Sequence, residues 1–195
     1  MNKREFLAAA AVAGALPAAS TSAFAKPAKG GPVLLTVGGA IGKGNRGPVD
    51  GLLEQMMHKH GVQFAKAQTF DSAALQALPA ITIHPTLEYD GKVHALSGPL
   101  LSTVLREAGV KLNAALRIGL RAVDGYNVNI NLADAQAYRM IVATHLDGQP
   151  LALGGLGPQW AVYEADTVPA FKDKPLKERF ALCPWGIYYI DVAVI

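Results

Sequence analysis

Side chains that could bind a small molecule lie at the ends of predicted strands and in the loops beside them. A tryptophan or tyrosine ring offers a flat face for stacking, whereas histidine, aspartate and asparagine offer hydrogen-bond donors and acceptors. Each also has an ordinary structural explanation, such as a core tryptophan, a strand-end histidine or an aspartate in a turn. The candidate binding residues are His84, Tyr89, Asp124, Tyr126, Asn127 and Trp160.

The only cysteine of the chain, Cys183, limits its redox and metal chemistry. One cysteine cannot form an intramolecular disulfide, so the fold must depend on an apolar core. Cys183 comes just before Pro184 and Trp185, at the start of the last predicted strand. A lone cysteine in such a place is most often a small buried hydrophobe. We therefore expect that it does not ligate a metal.

Residues 1–25 have the features of an export signal. Lys3 and Arg4 supply a positive start, residues 6–18 are apolar and rich in alanine, and residues 23–25 (Ala-Phe-Ala) match a cleavage site. Residues 2–7 also resemble a twin-arginine signal with lysine in the first arginine position, so the general secretory and twin-arginine routes both stay open. The sequence predicts a periplasmic protein with one domain over residues 26–195 and no membrane insertion.

The charge balance argues against nucleic acid as a partner. The net charge is +3 over 195 residues, and no cluster of lysine and arginine occupies one predicted element. A small-molecule ligand or a protein partner is the better expectation.

Short strands interspersed with a few short helices are predicted for the rest of the chain, which indicates an α+β fold. Phe70 and Asp71 form a staple and cap for the second helix, and Gly61 and Gly109 end the first and third. Asp124-Gly125 joins two strands in a hairpin. Helices are predicted at 48–60, 72–78 and 99–108, and strands at 33–37, 80–84, 119–123, 126–130, 140–144, 160–163 and 185–195.

The order and spacing of several motifs resemble the molybdopterin-binding domain of sulfite oxidase-type enzymes. Residues 89–109 (YDGKVHALSGPLLSTVLREAG) are similar to that family's aspartate-glycine turn, strand and L-L-x-x-A-G helix. Residues 122–135 (AVDGYNVNINLADA), 146–151 (LDGQPL) and 157–163 (GPQWAVY) resemble later family segments in the same order. The resemblance covers residues 33–194. It implies a sulfite oxidase molybdopterin-binding-like fold, with mixed β-sheets and short flanking helices.

The chain departs from these enzymes in the loop after the strand predicted at 80–84. The enzymes hold molybdenum there through a cysteine thiolate, whereas residues 85–88 read Pro-Thr-Leu-Glu. Hydroxyl and carboxylate oxygens are harder donors that suit other metals, so no molybdenum is expected. Close relatives also have an arginine ahead of the glycine-proline-tryptophan motif. Residues 153–156 (LGGL) lack it, which removes an expected pterin or phosphate contact.

The small family members without the cysteine include periplasmic proteins that bind a reduced pterin and signal to a membrane-bound cyclic-di-GMP enzyme. The resemblance therefore implies a non-catalytic pterin receptor, with the periplasmic domain of a membrane signalling protein as its partner. In this reading a pterin stacks on Trp160, Asp124 accepts from its amino group, and Tyr126 and Asn127 occupy the segment that carries an active-site tyrosine in sulfite oxidases. His84 and Tyr89 flank the loop that lacks the cysteine.

Two alternatives stay open. A molybdenum-cofactor oxidoreductase, or a subunit of one, is favoured by the near-twin-arginine signal and opposed by the absent thiolate. An interaction module that has lost its ligand is favoured by the missing arginine.

Overall fold

A computed structural model describes residues 30–112 and 115–195. The predicted export signal at 1–25 lies outside the described residues. The helices are α1 (Gln55–Lys59), α2 (Ser72–Gln76), α3 (Leu101–Glu107) and α4 (Leu132–Ala137), with a short 3-10 helix at Leu176–Glu178. The strands are β1 (Val33–Gly39), β2 (Gln68–Asp71), β3 (Ala80–Ile83), β4 (Leu96–Pro99), β5 (Leu116–Ala122), β6 (Asn127–Asn131), β7 (Ile141–Ala143), β8 (His145–Leu146), β9 (Gln149–Pro150), β10 (Trp160–Val162) and β11 (Ile187–Val194).

A five-stranded mixed sheet forms the larger layer, in the order β2-β1-β11-β5-β6. The closing strand β11 lies at its centre, parallel to β1 and antiparallel to β5. Alternate residues of the edge strand β6 are buried, as expected for a strand with one face on a core, whereas β5 and β11 are buried along most of their length. A four-stranded sheet in the order β3-β4-β8-β9 and the pair β10-β7 complete the architecture.

One large apolar cluster joins the inner face of the five-stranded sheet to α3, to β7 and to β10. Leu105, Ile118, Ile141 and Ile190 are fully buried in it. The chain therefore has the apolar core that its lack of a disulfide requires.

Several local predictions are confirmed. The Asp71 side chain accepts a hydrogen bond from the Ala74 amide and caps α2. Gly61 and Gly109 follow their helices with φ of +68° and +76°, the left-handed conformation that favours glycine. Asp124-Gly125 connects β5 to β6 as a hairpin, because the Gly125 amide donates to the Ala122 carbonyl.

The predicted helix over residues 48–60 is wrong in its first half. Leu52 and Leu53 lie in a turn and are each 84% exposed, so they form no buried helical stripe. Asp50 Oδ1 accepts from the amides of both leucines, and Glu54 is held by an ion pair with Arg46. These side-chain bonds fix a turn in place of the first helical turns, and the helix begins at Gln55.

Smaller differences concern element boundaries. Pro99 ends β4 and does not open α3, which begins at Leu101. Neither β2 nor α4 was among the predicted elements. Among the described residues, no helix is both long enough and apolar enough to span a bilayer.

Candidate functional site

A cleft of about 290 Å³ opens where three separate segments of the chain meet. The segments are the loop after β3, the β5–β6 hairpin and the stretch between the 3-10 helix and β11. Its volume lies near the lower end of the usual range for ligand pockets. The cleft is lined by Glu88, Tyr89, Ala122, Asp124, Tyr126, Lys177, Phe180, Ala181, Cys183, Pro184 and Trp185.

The first wall is the loop that carries Glu88 and Tyr89. The Leu87 amide donates to the Lys92 carbonyl over 2.9 Å, which closes the loop on itself. Asp166 braces the loop from outside, because its Oδ2 accepts from the Thr86 amide over 2.6 Å. Its other oxygen, Oδ1, accepts from Arg179 Nη1 over 2.6 Å. The carboxylate thereby ties this wall to the segment that forms the third wall.

The second wall is the hairpin between β5 and β6. Asp124 Oδ1 accepts from the Tyr126 amide over 2.9 Å, the side-chain turn expected of an aspartate before glycine. The Tyr126 hydroxyl reaches across the cleft mouth and donates to the Ala181 carbonyl over 2.9 Å. The Tyr126 ring is therefore held in place while much of it stays exposed.

The third wall is the segment from Lys177 to Trp185, which lacks regular structure after the 3-10 helix. Two buried donors hold its carbonyls. Trp160 Nε1 donates to the Cys183 carbonyl over 2.8 Å, and the Tyr163 hydroxyl donates to the Arg179 carbonyl over 2.8 Å. Phe180 is buried beside Trp160, with ring centroids 6.0 Å apart. Trp185 lines the cleft and is 38% exposed.

Burial and nearby negative charge raise the pKa values of two side chains that line the cleft. Burial, followed by the nearby Glu88 charge, raises the pKa of the Tyr89 hydroxyl. Burial raises the pKa of the Cys183 thiol to about 12, so near neutral pH it is a protonated thiol. Glu88 and Asp124 are carboxylates, and Lys177 is the one basic side chain among the lining residues.

The structure brings together some of the predicted binding residues and separates the others. Tyr89, Asp124 and Tyr126 all line the cleft. Trp160 does not: it is 1% exposed, and its indole supports the third wall from inside the core. His84 is exposed and is not among the lining residues. Asn127 follows Tyr126 but lies in a different cleft, because neighbouring residues of a strand point to opposite faces.

Sequence reasoning missed Glu88, Trp185 and Cys183 as lining residues. Trp185 had a usable signal, an aromatic residue directly before the closing strand. Glu88 was noted as a residue of the loop that lacks a cysteine but was not proposed as a contact. Cys183 lies far along the chain from that loop, yet the fold places its buried thiol at the base of the cleft, within range of the Glu88 charge.

The cleft is a poor match for the molybdenum cofactor of sulfite oxidase-type enzymes. That cofactor needs a thiolate donor and carries an anionic phosphate. The one thiol at this cleft is 4% exposed, and the carboxylates outnumber the lysine. Among residues 30–112 and 115–195, no group of at least three histidine, cysteine, aspartate or glutamate side chains is arranged to hold a metal.

Comparison with known proteins gives a likeness at the level of the fold. No protein-family model matches the chain, and no curated protein matches it. The solved structure of the sulfane dehydrogenase SoxCD from Paracoccus pantotrophus is similar over 81% of this chain, with a TM-score of 0.50 and 13% sequence identity. The chain spans 37% of the length of that chain. The predicted α+β fold is confirmed, and the chain is distantly related in fold to the sulfite oxidase type.

Proposed function

We propose that this protein is a non-catalytic receptor for a pterin-like molecule, which binds in the cleft between Tyr89, Tyr126 and Trp185. The observation that carries the proposal is the meeting of these exposed aromatic rings with the carboxylates of Glu88 and Asp124 around one cleft. Flat aromatic walls favour a flat ligand, and carboxylates favour one that donates hydrogen bonds.

A pterin ring matches this lining in shape and in hydrogen bonding. Its fused bicyclic ring can stack on an indole or a phenol, and its amino group and ring N–H donate to carboxylate oxygens. A volume of about 290 Å³ accommodates one small ring system. In the proposal Trp185 takes the stacking role that the sequence had suggested for Trp160.

The site of action and the partner belong to the same proposal. An export signal at residues 1–25 would deliver the domain to the periplasm. A receptor without turnover must report ligand binding to something else, so we propose the periplasmic domain of a membrane signalling protein as its partner. The resemblance described above suggests an enzyme of cyclic-di-GMP metabolism.

Tryptophan fluorescence tests the proposal, because the two tryptophans differ in environment. Titration with tetrahydrobiopterin is expected to quench Trp185 saturably, since this indole lines the cleft. The Trp185→Phe variant should lose most of the quenching. The Trp160→Phe variant should keep it, because Trp160 lies behind the third wall and does not line the cleft. Absence of saturable quenching with any reduced pterin would reject the proposal.

A molybdenum oxidoreductase is the second candidate, favoured by the position of Cys183 and by the fold. Cys183 is a lining residue of the cleft, although it is only 4% exposed. Elemental analysis of protein purified from its native compartment separates the two functions. The receptor proposal expects no molybdenum, whereas stoichiometric molybdenum that is lost in Cys183→Ser would favour the oxidoreductase.

A further inference from the structure

A second cleft, of about 200 Å³, lies on the outer face of the five-stranded sheet. Its floor consists of two adjacent rows of residues, and each row runs across β11, β5 and β6. Tyr189, Arg121 and Asn127 form the first row, and Asp191, Gly119 and Asn129 form the second. Residues 61–63, which follow α1, form the side wall. The candidate functional site lies on the other side of the β5–β6 hairpin and shares none of these residues.

Gly119 lies in the floor of this cleft and is buried under the side chains around it. A side chain at the centre of a strand would normally fill such a position, and glycine there often marks a close approach by another group. A Cβ atom at Gly119 would lie 3.4 Å from Asp191 Cβ and 3.5 Å from Asn129 Oδ1. The Asn127 Oδ1 atom would be 3.9 Å away. The amide oxygens of both asparagines therefore converge above the glycine, at ordinary contact distance from the position of the missing side chain.

The cleft has one basic side chain, Arg121, and one acidic side chain, Asp191, and no ion pair between them is found among the described residues. Arg121 takes part in none of the ion pairs found among the described residues. Asp191 is oriented by the Tyr189 hydroxyl, which donates to its Oδ1 over 3.2 Å. The Tyr189 ring is fixed in turn by stacking on Phe64, with centroids 5.9 Å apart. The cleft thus holds a guanidinium donor, a carboxylate acceptor and two carboxamides that both donate and accept.

We propose that this second cleft binds a carbohydrate unit about the size of a monosaccharide. Neighbouring sugar hydroxyls each donate and accept a hydrogen bond, and an array of carboxamide, guanidinium and carboxylate groups satisfies both functions. The balanced charge favours a neutral ligand over an anion. A saturated ring would lie over the side chains that cover the glycine, in the roughly 200 Å³ that the cleft offers.

The test is a series of amide and side-chain NMR spectra of the labelled protein, titrated with glucose and separately with N-acetylglucosamine. One of these sugars is expected to shift the Asn127 and Asn129 side-chain resonances saturably. The Gly119→Ala variant adds one methyl group at ordinary contact distance from Asp191, Asn129 and Asn127, so the fold should persist while the methyl group shifts the two amides. We expect it to weaken sugar binding about tenfold or more.

Asn131→Ala is the matched control. Asn131 belongs to the next row of the same face, opposite Arg117, and does not line the cleft. It should leave sugar binding unchanged. The proposal is overturned if neither sugar gives saturable shifts, if Gly119→Ala binds as well as the unaltered protein while its spectrum shows an intact fold, or if glycine as a zwitterionic probe binds and the sugars do not. The result is independent of pterin binding, which uses other residues.

Discussion

At the scale of single residues, the two tryptophans have different roles that their surroundings determine. Trp160 is enclosed by the core, and its indole N–H satisfies the buried Cys183 carbonyl. Trp185 presents part of its ring to the cleft. The pattern around Trp160, a strand behind a glycine-rich loop, fits either role. The sequence could therefore suggest a tryptophan contact but could not decide which of the two makes it.

Trp160→Phe is expected to lower the free energy of unfolding by about 1 to 3 kcal/mol, because it leaves the Cys183 carbonyl buried without its donor. Urea denaturation followed by circular dichroism measures the change. Trp185→Phe is the matched control and should stay within about 0.5 kcal/mol of the unaltered protein, since Trp185 is partly exposed. Equal destabilisation by the two changes would contradict the structural role given to Trp160.

Gln159 is a second residue whose buried amide supports the fold. Its Nε2 donates to the Leu34 and Ile187 carbonyls, each over 2.6 Å, while Oε1 has no partner among the described residues. Gln159→Leu removes both donors, so we expect a loss of about 2 kcal/mol in the free energy of unfolding. Gln76→Leu, on the exposed face of α2, should change it little. A stability unchanged in Gln159→Leu would show that these carbonyls find other donors.

At the scale of elements, strong local signals predicted the structure well except where side-chain hydrogen bonds and an ion pair favoured a different local structure. The Asp71 cap and the alternation in β3 act within a few residues, so the sequence contains all that determines them. The predicted start of the first helix is wrong because Arg46 and Asp50 hold residues 50–54 in a turn. Such partners cannot be identified from hydrophobic periodicity alone.

The brace formed by Asp166 joins two walls of the cleft and is expected to affect ligand binding. Asp166→Ala removes the acceptor for the Thr86 amide and for Arg179, so the loop with Glu88 and Tyr89 should lose its fixed position. We expect tetrahydrobiopterin affinity to fall about threefold to tenfold, equivalent to about 1 kcal/mol. Fluorescence titration provides the measurement. Asp173→Ala, an exposed position with the same change of charge, should bind normally.

A histidine clamp holds the far end of the same loop and should make its stability depend on pH. His94 Nδ1 contacts Asp147 over 2.7 Å, and Nε2 contacts Asp90 over 3.1 Å. The hydrogen bond to Asp147, followed by that to Asp90, raises the pKa of His94. His94 in turn lowers the pKa of both aspartates.

The contribution of His94 to stability is therefore fully present below the unfolded-state histidine pKa of about 6.5. It is lost as the pH rises through the raised pKa of His94 in the folded protein. The aspartate share is lost only in acid, as the pH falls through their lowered pKa values. His94→Gln should lower the melting temperature more near about pH 6 than near about pH 9. His58→Gln, at an exposed histidine outside the clamp, is the control. A loss that is equal at both pH values would argue against a charged clamp.

At the scale of the whole molecule, the cleft exists because the fold brings together segments that are distant in sequence. Tyr89 and Tyr126 are on the loop after β3 and on the β5–β6 hairpin, and Trp185 precedes β11. The first two were predicted as binding residues because their surroundings resemble family motifs. Glu88 and Cys183 become neighbours only through the tertiary fold, which one sequence without its structure does not reveal.

The fold by itself does not decide between a receptor and an enzyme, because one fold supports many functions. The receptor proposal rests on the acidic, aromatic lining of the cleft. In the proposed receptor, Glu88 and Asp124 are the acceptors that recognise an amino-bearing ring.

Calorimetric titration of tetrahydrobiopterin into the unaltered protein and into a Glu88→Gln, Asp124→Asn double variant tests this dependence most directly. We expect one saturable site in the unaltered protein and an affinity at least about tenfold lower in the variant, since charge-assisted hydrogen bonds are lost. No binding to the unaltered protein, or equal binding to both proteins, would contradict it.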